Sequence, residues 1–365
     1  MMARSLFTEN FRNLCADEID FSDDVNVISG QNGQGKTNLL EALFLFTGVR
    51  SFRGAKNSEM IARGKKFARM ELDFYAEKQE QNAKLLITDK KQATLNGVKQ
   101  TAATGFIGRF CAVVFSPDNM SLIKGGANER RRFLDAAISQ QYPAYPRILV
   151  EYNRVLSQRN ALLKRPSASP DFDSMLEIWD EHLSQLGARI SCKRAEYISR
   201  LEVKTREIFD GISSGRDSIG LHYSCGYLFP SSVDETAEAL KKHLQVHRAS
   251  DLAQGCTSSG AHRDDLNISV NGMAARSYAS QGQKRSCVLA LKLAEASLLE
   301  ESAGERPVAI LDDVMSELDG LRQDYLLNHM DGWQVFISCC DPHTVKGLDR
   351  GRIIEVENGK CMSKD

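Results

Sequence analysis

The segment GQNGQGKT at 30–37 constrains the fold of this chain more than any other feature. It follows VNVIS at 25–29, a short run rich in β-branched residues, and precedes NLLEALFLFTG at 38–48, whose apolar residues recur at helical spacing. The pattern predicts a strand, a glycine-rich loop and a helix in that order. A G-x-x-x-x-G-K-[ST] segment in that setting is typical of a loop that binds phosphate.

The residue types of this loop fit that chemistry. Glycines let the backbone curl so that successive N–H groups face an anion, and the following helix adds its positive N-terminus. Lys36 is expected to reach the β- and γ-phosphates of a nucleotide, and the Thr37 hydroxyl to bind Mg²⁺. The expected nucleotide-binding residues of the loop are Gly30, Gln31, Asn32, Gly33, Gln34, Gly35, Lys36 and Thr37.

A second strand delivers paired carboxylates. PVAILDD at 307–313 is an apolar run that ends in Asp312 and Asp313. Asp312 suits the Mg²⁺ ligand of a Walker B strand, and Asp313 is placed to orient or deprotonate an attacking water. We therefore predict Lys36 and Asp313 as catalytic residues, with Thr37 and Asp312 as metal ligands.

A third motif opens a helix at YASQGQKRS, residues 278–286. Ser280, Gly282 and Gln283 offer a hydroxyl, a glycine N–H and a helix N-terminus, which together can bind a second anion. An ordinary serine cap with a flexible glycine explains the same residues. Ser280 nevertheless precedes Asp312 by one helix and one strand, which is the order of the signature motif in ABC-type ATPases, where this loop binds the γ-phosphate held by another subunit.

The overall charge excludes a chain-wide field for nucleic acid or anionic lipid. Lys and Arg number 47 and Asp and Glu 48, so the 365-residue chain has a net charge of -1. Any polyanionic partner must therefore contact a local patch. The stretch 129–165, with eight basic residues against three acidic ones, is predicted to be the most basic local surface.

Localisation follows from what the chain lacks. No apolar run approaches the roughly 18 residues needed to span a bilayer, and MMARSLFTENFRNL at the start does not resemble a secretory signal. The nine cysteines form no C-x-x-C pair and no zinc-like spacing with histidine. We expect a cytoplasmic protein with reduced thiols and no membrane partner.

The predicted secondary-structure content changes twice along the chain. Residues 1–118 and 251–365 alternate predicted strands and helices, whereas 119–250 is mostly helical, with blocks at 129–165, 172–210 and 234–248. This organisation predicts one α/β domain that is split in sequence by a helical arm. Its first part carries the phosphate loop, and its last part carries the signature and Walker B motifs.

The three motifs together resemble the P-loop head of the ABC-type ATPases related to structural-maintenance-of-chromosomes proteins, and within that group the RecF family of bacterial recombination mediators. NFRNL at 10–14, VVFSPDNMSLIKGGANERRRFLD at 113–135 and AHRDDL at 261–266 extend the resemblance over nearly the whole chain. The resemblance implies ATP and Mg²⁺ as cofactors and an ATP-dependent homodimer. It also implies binding to double-stranded DNA and gap junctions, cooperation with RecR and RecO in loading recombinase, and a weak DNA-linked ATPase activity.

The chain departs from related ATPases at three points. Its signature reads SQGQ where transporter ATPases have SGGQ, a change that the family shares. Asp313 replaces the usual glutamate and suggests slow hydrolysis. Where relatives place a switch histidine, this chain has Cys339, Cys340 and Asp341, with His343 displaced. A thiol is a weak hydrogen-bond donor, so the switch role has no assigned residue.

Several residues keep two interpretations. SELD at 316–319 matches the D-loop of the dimer interface or an ordinary capped helix start. The run Arg130, Arg131 and Arg132 either contacts DNA phosphates or forms a solvated helix face, and Arg159 is assigned to the same basic patch. His262 and Arg263 sense nucleotide or DNA, or pair with Asp264 or Asp265. By resemblance alone, FRN at 11–13 approaches the ribose or adenine.

Two other functions share part of the pattern. The nucleotide-binding subunit of a membrane transporter has the same three motifs, but it keeps SGGQ and has no long helical insertion. A soluble P-loop kinase or GTPase has the phosphate loop, but it has no use for the SQGQ helix, and no base-reading N/T-K-x-D motif occurs here.

Overall fold

The computed structural model describes residues 1–165, 171–227, 232–341 and 351–364. Within these ranges the strands are β1 Met2–Glu9, β2 Asp17–Asp20, β3 Val25–Ser29, β4 Ala68–Ala76, β5 Gln79–Ile87, β6 Lys91–Leu95, β7 Val98–Gln100, β8 Ala112–Phe115, β9 Ile219–Ser224, β10 Asp265–Val270, β11 Met273–Ala274, β12 Val308–Leu311, β13 Val335–Cys339, β14 Arg352–Glu357 and β15 Lys360–Lys364. The α-helices are α1 Lys36–Phe44, α2 Asn57–Met60, α3 Ser121–Lys124, α4 Ala127–Gln141, α5 Tyr145–Leu163, α6 Asp171–Ser213, α7 Val233–Val246, α8 Arg248–Gln254, α9 Ala275–Tyr278, α10 Gln281–Ala303 and α11 Gly320–His329.

A six-stranded sheet with the order β15-β14-β3-β13-β12-β8 combines strands from the first and the last parts of the chain. Its five strands from β14 to β8 are parallel, and β15 pairs antiparallel with β14 at one edge. In a parallel sheet the carboxyl ends of neighbouring strands share one edge, where ligands bind. The loop after β3 and the residues after β12 and β13 therefore lie side by side, although up to about 300 residues separate them in sequence.

Both faces of this sheet are covered, as its apolar strands require. Val27 and Ile28 point to opposite faces because side chains alternate along a strand. Ile28 packs in a core with α1 and the antiparallel sheet β2-β1-β4-β5-β6-β7, and Val27 packs in a second core with α4, α6 and α10. The helix that follows the phosphate loop is thus held between two sheets.

The middle of the chain is helical, as predicted. Its longest helix, α6, spans 43 residues. The predicted block 129–165 contains two helices, because Pro143 lacks the N–H that would continue α4, and α5 begins two residues later. The gap between the predicted helical blocks 129–165 and 172–210 falls mostly on residues outside the described ranges.

The predicted boundary at 250 is crossed by hydrogen bonds. Strand β9 pairs antiparallel with β10, from Asp265 opposite Ser224 to Val270 opposite Ile219. The arm helices also share the second core with the face of the parallel sheet. The division into 1–118, 119–250 and 251–365 stays a prediction about folding units.

Candidate functional site

The phosphate loop has the predicted setting. Strand β3 ends at Ser29 and α1 begins at Lys36. The loop glycines Gly30, Gly33 and Gly35 have φ of 149°, 81° and 124°, values that residues with a Cβ rarely adopt. A Cβ on Gly30 would also lie 2.4 Å from the carbonyl oxygen of Val356, so that position has no room for a side chain.

The outside of the loop is fixed by Asn13 and by the turn between β14 and β15. The Asn13 amide donates to the carbonyl oxygens of Gly33 at 3.3 Å and Gln34 at 3.2 Å. The backbone N–H groups of Asn358 and Gly359, in the turn between β14 and β15, donate to the side-chain and backbone oxygens of Gln34. The NFRNL resemblance pointed to Asn13, but no signal in the sequence pointed to the β14–β15 turn, because that contact depends on sheet order.

Lys36 is buried at the start of α1 and faces back into its own loop. Its Nζ donates to the carbonyl oxygens of Gly30 at 2.7 Å and Gln31 at 3.3 Å. The same Nζ lies 3.9 Å from Sγ of Cys340, whose thiol donates to Oδ1 of Asn32 at 3.3 Å. The ammonium group is therefore held over the mouth of the loop.

Thr37 and Asp312, the two predicted Mg²⁺ ligands, lie within hydrogen-bond distance of each other, and their metal role stays a prediction. The Thr37 hydroxyl donates to Oδ1 of Asp312 at 2.9 Å, and the Ser338 hydroxyl donates to the same oxygen at 2.9 Å. Burial raises the pKa of Asp312 above its ordinary value, although both hydroxyl hydrogen bonds oppose that shift. Ser338, on β13, was not predicted, because only the strand order of the sheet places it beside Asp312.

Asp313 has a strained backbone. Its φ is +51°, in the left-handed region that non-glycine residues seldom occupy. Its backbone N–H donates to the Ser338 hydroxyl at 2.9 Å, which holds it in that conformation. The Asp313 side chain is half-buried beside Asp312, where it remains open to a water molecule.

The position of the missing switch histidine is occupied by Cys339 and Cys340. Burial raises the pKa of the Cys339 thiol to about 11. Cys340 is exposed and faces the phosphate loop. His343 lies outside the described residues.

The SQGQ turn caps α10. The Ser280 hydroxyl accepts a hydrogen bond from the Gln283 N–H at 3.1 Å, and the Gln283 side chain accepts one from the Ser280 N–H at 2.9 Å. This reciprocal pair is a capping box. The Gln283 amide also donates to Oδ1 of Asp217 at 3.0 Å, and Ser280 is exposed.

Comparison with known proteins extends over nearly the whole chain. The family model described as the RecF/RecN/SMC N terminal domain matches residues 2–363. The DNA replication and repair protein RecF of Caldanaerobacter subterraneus subsp. tengcongensis is 39% identical over 352 residues, which cover 95% of this chain and 96% of that protein. The protein of the same name from Bacillus subtilis is 34% identical over 372 residues, which cover 99% of this chain and 100% of that protein. The chain belongs to the RecF family of DNA replication and repair proteins.

Solved structures agree with this assignment. A structure of the recombination mediator protein RecF-ATPrS in the RecFOR pathway has a TM-score of 0.92 at 36% identity, and covers 100% of this chain and 98% of that chain. The SmcHead bound to the C-winged helix domain of ScpA has a TM-score of 0.56 at 16% identity, covering 100% and 98%. The predicted fold, an ABC-type ATPase head with a helical region, is confirmed. The transporter and kinase alternatives gain no support from these matches.

Two arginines of the basic surface predicted at 129–165 are buried in ion pairs. Arg159 is fully buried and pairs with Asp180 and Asp251, each at 2.7 Å. Arg130 is buried in a two-pronged ion pair with Asp265. The interpretation that these two arginines contact DNA is wrong, because both guanidinium groups are buried and paired with carboxylates.

Two further residues of that surface have structural partners. Arg131 is half-buried and donates to the backbone oxygen of Asp264 at 2.7 Å, whereas Arg132 is exposed and pairs with Glu129 at 3.3 Å. The basic run therefore offers one exposed cation rather than three.

His262 pairs with neither of the predicted aspartates. Its Nδ1 lies 2.7 Å from the Tyr152 hydroxyl and its Nε2 lies 3.0 Å from the Thr257 carbonyl oxygen. A carbonyl only accepts, so we assign the ring proton to Nε2 and the acceptor role to Nδ1. Burial lowers the pKa of His262 to about 4, which keeps the ring neutral.

An unpredicted basic segment lies beside the phosphate-loop helix. Residues 50–69 carry seven basic side chains against one acidic side chain, and all seven are exposed. Arg53 connects this segment to α1, because its Nη1 donates to Asn38 at 2.8 Å and pairs with buried Glu41 at 3.4 Å. The segment is detectable in the sequence as a local excess of basic residues.

Glu41 is also the partner of Arg12. The two form a two-pronged ion pair with both distances at 2.9 Å, and the Glu41 carboxylate is fully buried. Arg12 is thereby engaged beneath the loop, and the proposed approach of FRN to a ribose or base stays a prediction.

No helix within the described ranges combines the length and apolar character that crossing a membrane requires.

Proposed function

We propose that this chain binds Mg²⁺ and ATP at the 30–37 loop, and that bound ATP controls pairing with a second copy on DNA. The observation that carries the proposal is the meeting of Lys36, Thr37 and Asp312 at one edge of the parallel sheet. RecF relatives include a structure of RecF-ATP, which is 36% identical to this chain with a TM-score of 0.89. This likeness supports the choice of nucleotide.

The donor set fits Mg²⁺ shared with a nucleotide. A threonine hydroxyl and an aspartate carboxylate are the oxygen ligands that Mg²⁺ prefers, and Mg²⁺ takes its remaining ligands from water and phosphate. Within the described ranges no group of three His, Cys, Asp or Glu side chains could hold a metal alone. Bound Mg²⁺ supplies charge neutralisation on the phosphates.

Each side chain of the site then has its own role in binding the nucleotide or in hydrolysis. Lys36 leaves its two carbonyl partners to pair with phosphate oxygens, and the N–H groups of the loop donate hydrogen bonds to the remaining phosphate oxygens. Thr37 and Asp312 orient the cation. Asp313, held by Ser338 and open to solvent, orients or deprotonates the attacking water. The shorter reach of aspartate makes slow hydrolysis the expected outcome.

Exposed apolar side chains support the proposed dimer. Tyr278 precedes the signature turn with 68% of its surface exposed, and Leu321 follows the D-loop with 82% exposed. The D-loop itself is a short 3₁₀ turn, Met315–Glu317, followed by Asp319 as the cap of α11. In a head-to-tail pair these side chains would be buried against the partner's phosphate loop.

The exposed basic segment 50–69 supports the DNA partner. No carboxylate of the described residues lies within ion-pair distance of Arg50, Lys56, Arg63, Lys65 or Lys66. Unpaired exposed cations contact phosphates regardless of base sequence. We propose that DNA, including gap junctions, is held there, and that RecR and RecO are partners as the family resemblance implies. A cytoplasmic location follows from these partners.

Substitutions at the loop test nucleotide use. Lys36→Ala should lose ATP binding, because the phosphates lose their main counter-charge. Asp313→Asn should bind ATP and release phosphate far more slowly, because the amide keeps the shape and removes the basic carboxylate. Equilibrium ATP binding and phosphate release measure the two effects. Normal ATP turnover in both variants would contradict the proposed ATP site at the 30–37 loop.

Sedimentation with and without ATP and gapped DNA tests assembly. Ser280→Arg should keep ATP binding by the monomer and block the ATP-dependent dimer, because a bulky cation would face the interface. A mixture of Ser280→Arg with Lys36→Ala contains one composite site with both halves intact, so dimer and activity should return. A Ser280→Arg monomer that hydrolyses ATP normally would refute the shared site.

A further inference from the structure

We infer that Arg322 is a positioning residue that fixes the signature turn and ties it to the acidic pair of the same chain. The inference rests on the proposed function, since the turn matters only if it completes an ATP site. It adds a residue that none of the three motifs contains. Arg322 lies in the first turn of α11, just after the D-loop.

Arg322 clamps the turn from the α11 side. Its Nη2 donates to the carbonyl oxygen of Gly282 at 3.0 Å and to the Ser286 hydroxyl at 2.9 Å, and its Nε donates to that hydroxyl at 3.0 Å. Ser286 is buried in α10, one turn beyond Gly282. A planar guanidinium can make these bonds together, whereas a lysine ammonium cannot reproduce their geometry.

The position of the clamp is specific to the turn. Gly282 is the glycine of the SQGQ motif, and its backbone is the most conformationally permissive part of the turn. On the other side, Gln283 is held by Asp217. With both contacts present, the exposed Ser280 hydroxyl and the neighbouring N–H groups keep one orientation toward a second chain.

A ladder of hydrogen bonds leads from Arg322 back to the catalytic carboxylates. The Asp319 side chain pairs with the Arg322 guanidinium and accepts its backbone N–H at 3.1 Å. The Gln323 amide donates to the carbonyl oxygens of Met315 at 2.6 Å and Leu318 at 3.1 Å. The segment between the Walker B strand and α11 is therefore cross-linked to the start of α11.

The last hydrogen bond of this series reaches Asp313, in the acidic pair itself. The Ser316 hydroxyl donates to the backbone oxygen of Asp313 at 2.9 Å, and Asp313 is held from its other side by Ser338. A displacement of Asp313 is thus carried through the D-loop to Arg322 and the signature turn. In the proposed dimer, each chain's acidic pair faces one ATP and its signature turn faces the other, so this ladder couples the two sites.

Arg306 provides a matched control. It bridges the far ends of the same two helices: its Nε lies 3.6 Å from the Glu300 carboxylate of α10, and its Nη1 donates to the carbonyl oxygen of Asp331, just beyond α11, at 2.9 Å. It lies just after α10 ends and contacts no part of the signature turn. Loss of Arg306 tests whether any arginine bridge between these helices has the same effect.

The experiment compares Arg322→Ala, Arg322→Lys and Arg306→Ala in the full chain, with Mg²⁺ and ATP as the probe. Loss of charge-assisted hydrogen bonds at Gly282 and Ser286 should weaken the ATP-dependent dimer by about tenfold or more, measured by sedimentation. ATP binding by the monomer should stay within about twofold of the unaltered chain, because Arg322 bonds to α10 and Asp319 rather than to the 30–37 loop. A factor of two corresponds to under 0.5 kcal/mol. Arg322→Lys should recover only part of the loss, and Arg306→Ala should dimerise normally.

Mixing separates positioning from folding. Arg322→Ala mixed with Lys36→Ala forms one composite site whose loop and signature turn are both intact, so the ATP-dependent dimer should return. A misfolded Arg322→Ala chain would fail to complement and would also lose ATP binding. Normal dimerisation of Arg322→Ala alone, or a mixture that fails while Ser280→Arg with Lys36→Ala succeeds, overturns the inference. If the unaltered chain itself forms no ATP-dependent dimer, the proposed function fails instead.

Discussion

Residues 129–165 carry eight basic side chains against three acidic ones, and residues 50–69 carry seven against one. In the first stretch Arg130 and Arg159 are buried in ion pairs, whereas in the second stretch every cation is exposed. The two runs look alike in sequence because the partners of the buried arginines lie up to 135 residues away. A basic run therefore indicates a surface only when the chain supplies no distant carboxylate for it.

Arg159, in the first stretch, shows how helices of the arm are held to one another. Arg159 in α5 joins Asp180 in α6 to Asp251 in α8, and it donates to Thr257 at 2.9 Å. The exposed run has no such role, because its connections to the core go mainly through Arg53. Substitutions should accordingly affect stability in the first stretch and DNA binding in the second.

The largest expected effect comes from Arg159→Ala. Removing the guanidinium leaves Asp251 buried without a counter-charge and leaves Asp180 paired only with Arg248, so the free energy of unfolding should fall by about 3–5 kcal/mol. Chemical denaturation measures this change. A loss of DNA affinity by folded Arg159→Ala with unchanged stability would restore the surface interpretation of the first stretch.

A smaller effect is expected from pH at His262, which shares Thr257 with Arg159. Burial lowers the native pKa of His262 to about 4, whereas the unfolded chain takes up this proton near pH 6.5. Because the unfolded state binds the proton first, the stability contributed by neutral His262 is complete above pH 6.5 and is lost as the pH falls toward 4. By pH 5 the loss should be about 2 kcal/mol.

His262→Gln supplies the control for that prediction. Glutamine does not titrate, so its free energy of unfolding should fall less steeply between pH 6.5 and 4 than that of the unaltered chain. Urea denaturation across this range gives both profiles. Parallel profiles would mean that His262 is not the group that titrates.

The smallest change in free energy is expected in the exposed run, and it concerns DNA. Lys65→Glu with Lys66→Glu should weaken binding to gapped duplex by about tenfold and reduce the slope of log affinity against log salt by about 0.9 per lost phosphate contact. Fluorescence anisotropy at two salt concentrations measures both. Stability should not change, because these side chains make no ion pair within the described residues.

Arg147→Glu with Arg154→Glu is the matched reversal in the first stretch. Both cations are exposed on α5, so the pair reverses the same charge without touching the buried network. DNA affinity should change little. A larger loss here than at Lys65 and Lys66 would move the DNA surface onto the arm.

Local sequence determined the elements that carry the chemistry. The predicted strand at 25–29 matches β3, and the predicted loop ends where α1 begins, because β-branched residues, glycines and an apolar helical stripe act within a few residues of each other. The Asn-Gly pairs at 96–97 and 271–272 are typical of hairpin turns, and they connect β6 to β7 and β10 to β11. Glycine conformation and helix capping at Ser280 depend on the same short range.

Tertiary structure alone decided which distant residues share a site. Ser338 meets Asp312 because β13 pairs with β12, and Asn358 meets Gln34 because β14 pairs with β3. Arg322 reaches Gly282 across 40 residues. No local pattern encodes these pairings, because they arise from strand order and helix packing that the whole chain stabilises together. The burial of Arg159 has the same origin: its charge is visible in the sequence, but the two aspartates that neutralise it are assembled only when α5, α6 and α8 pack together.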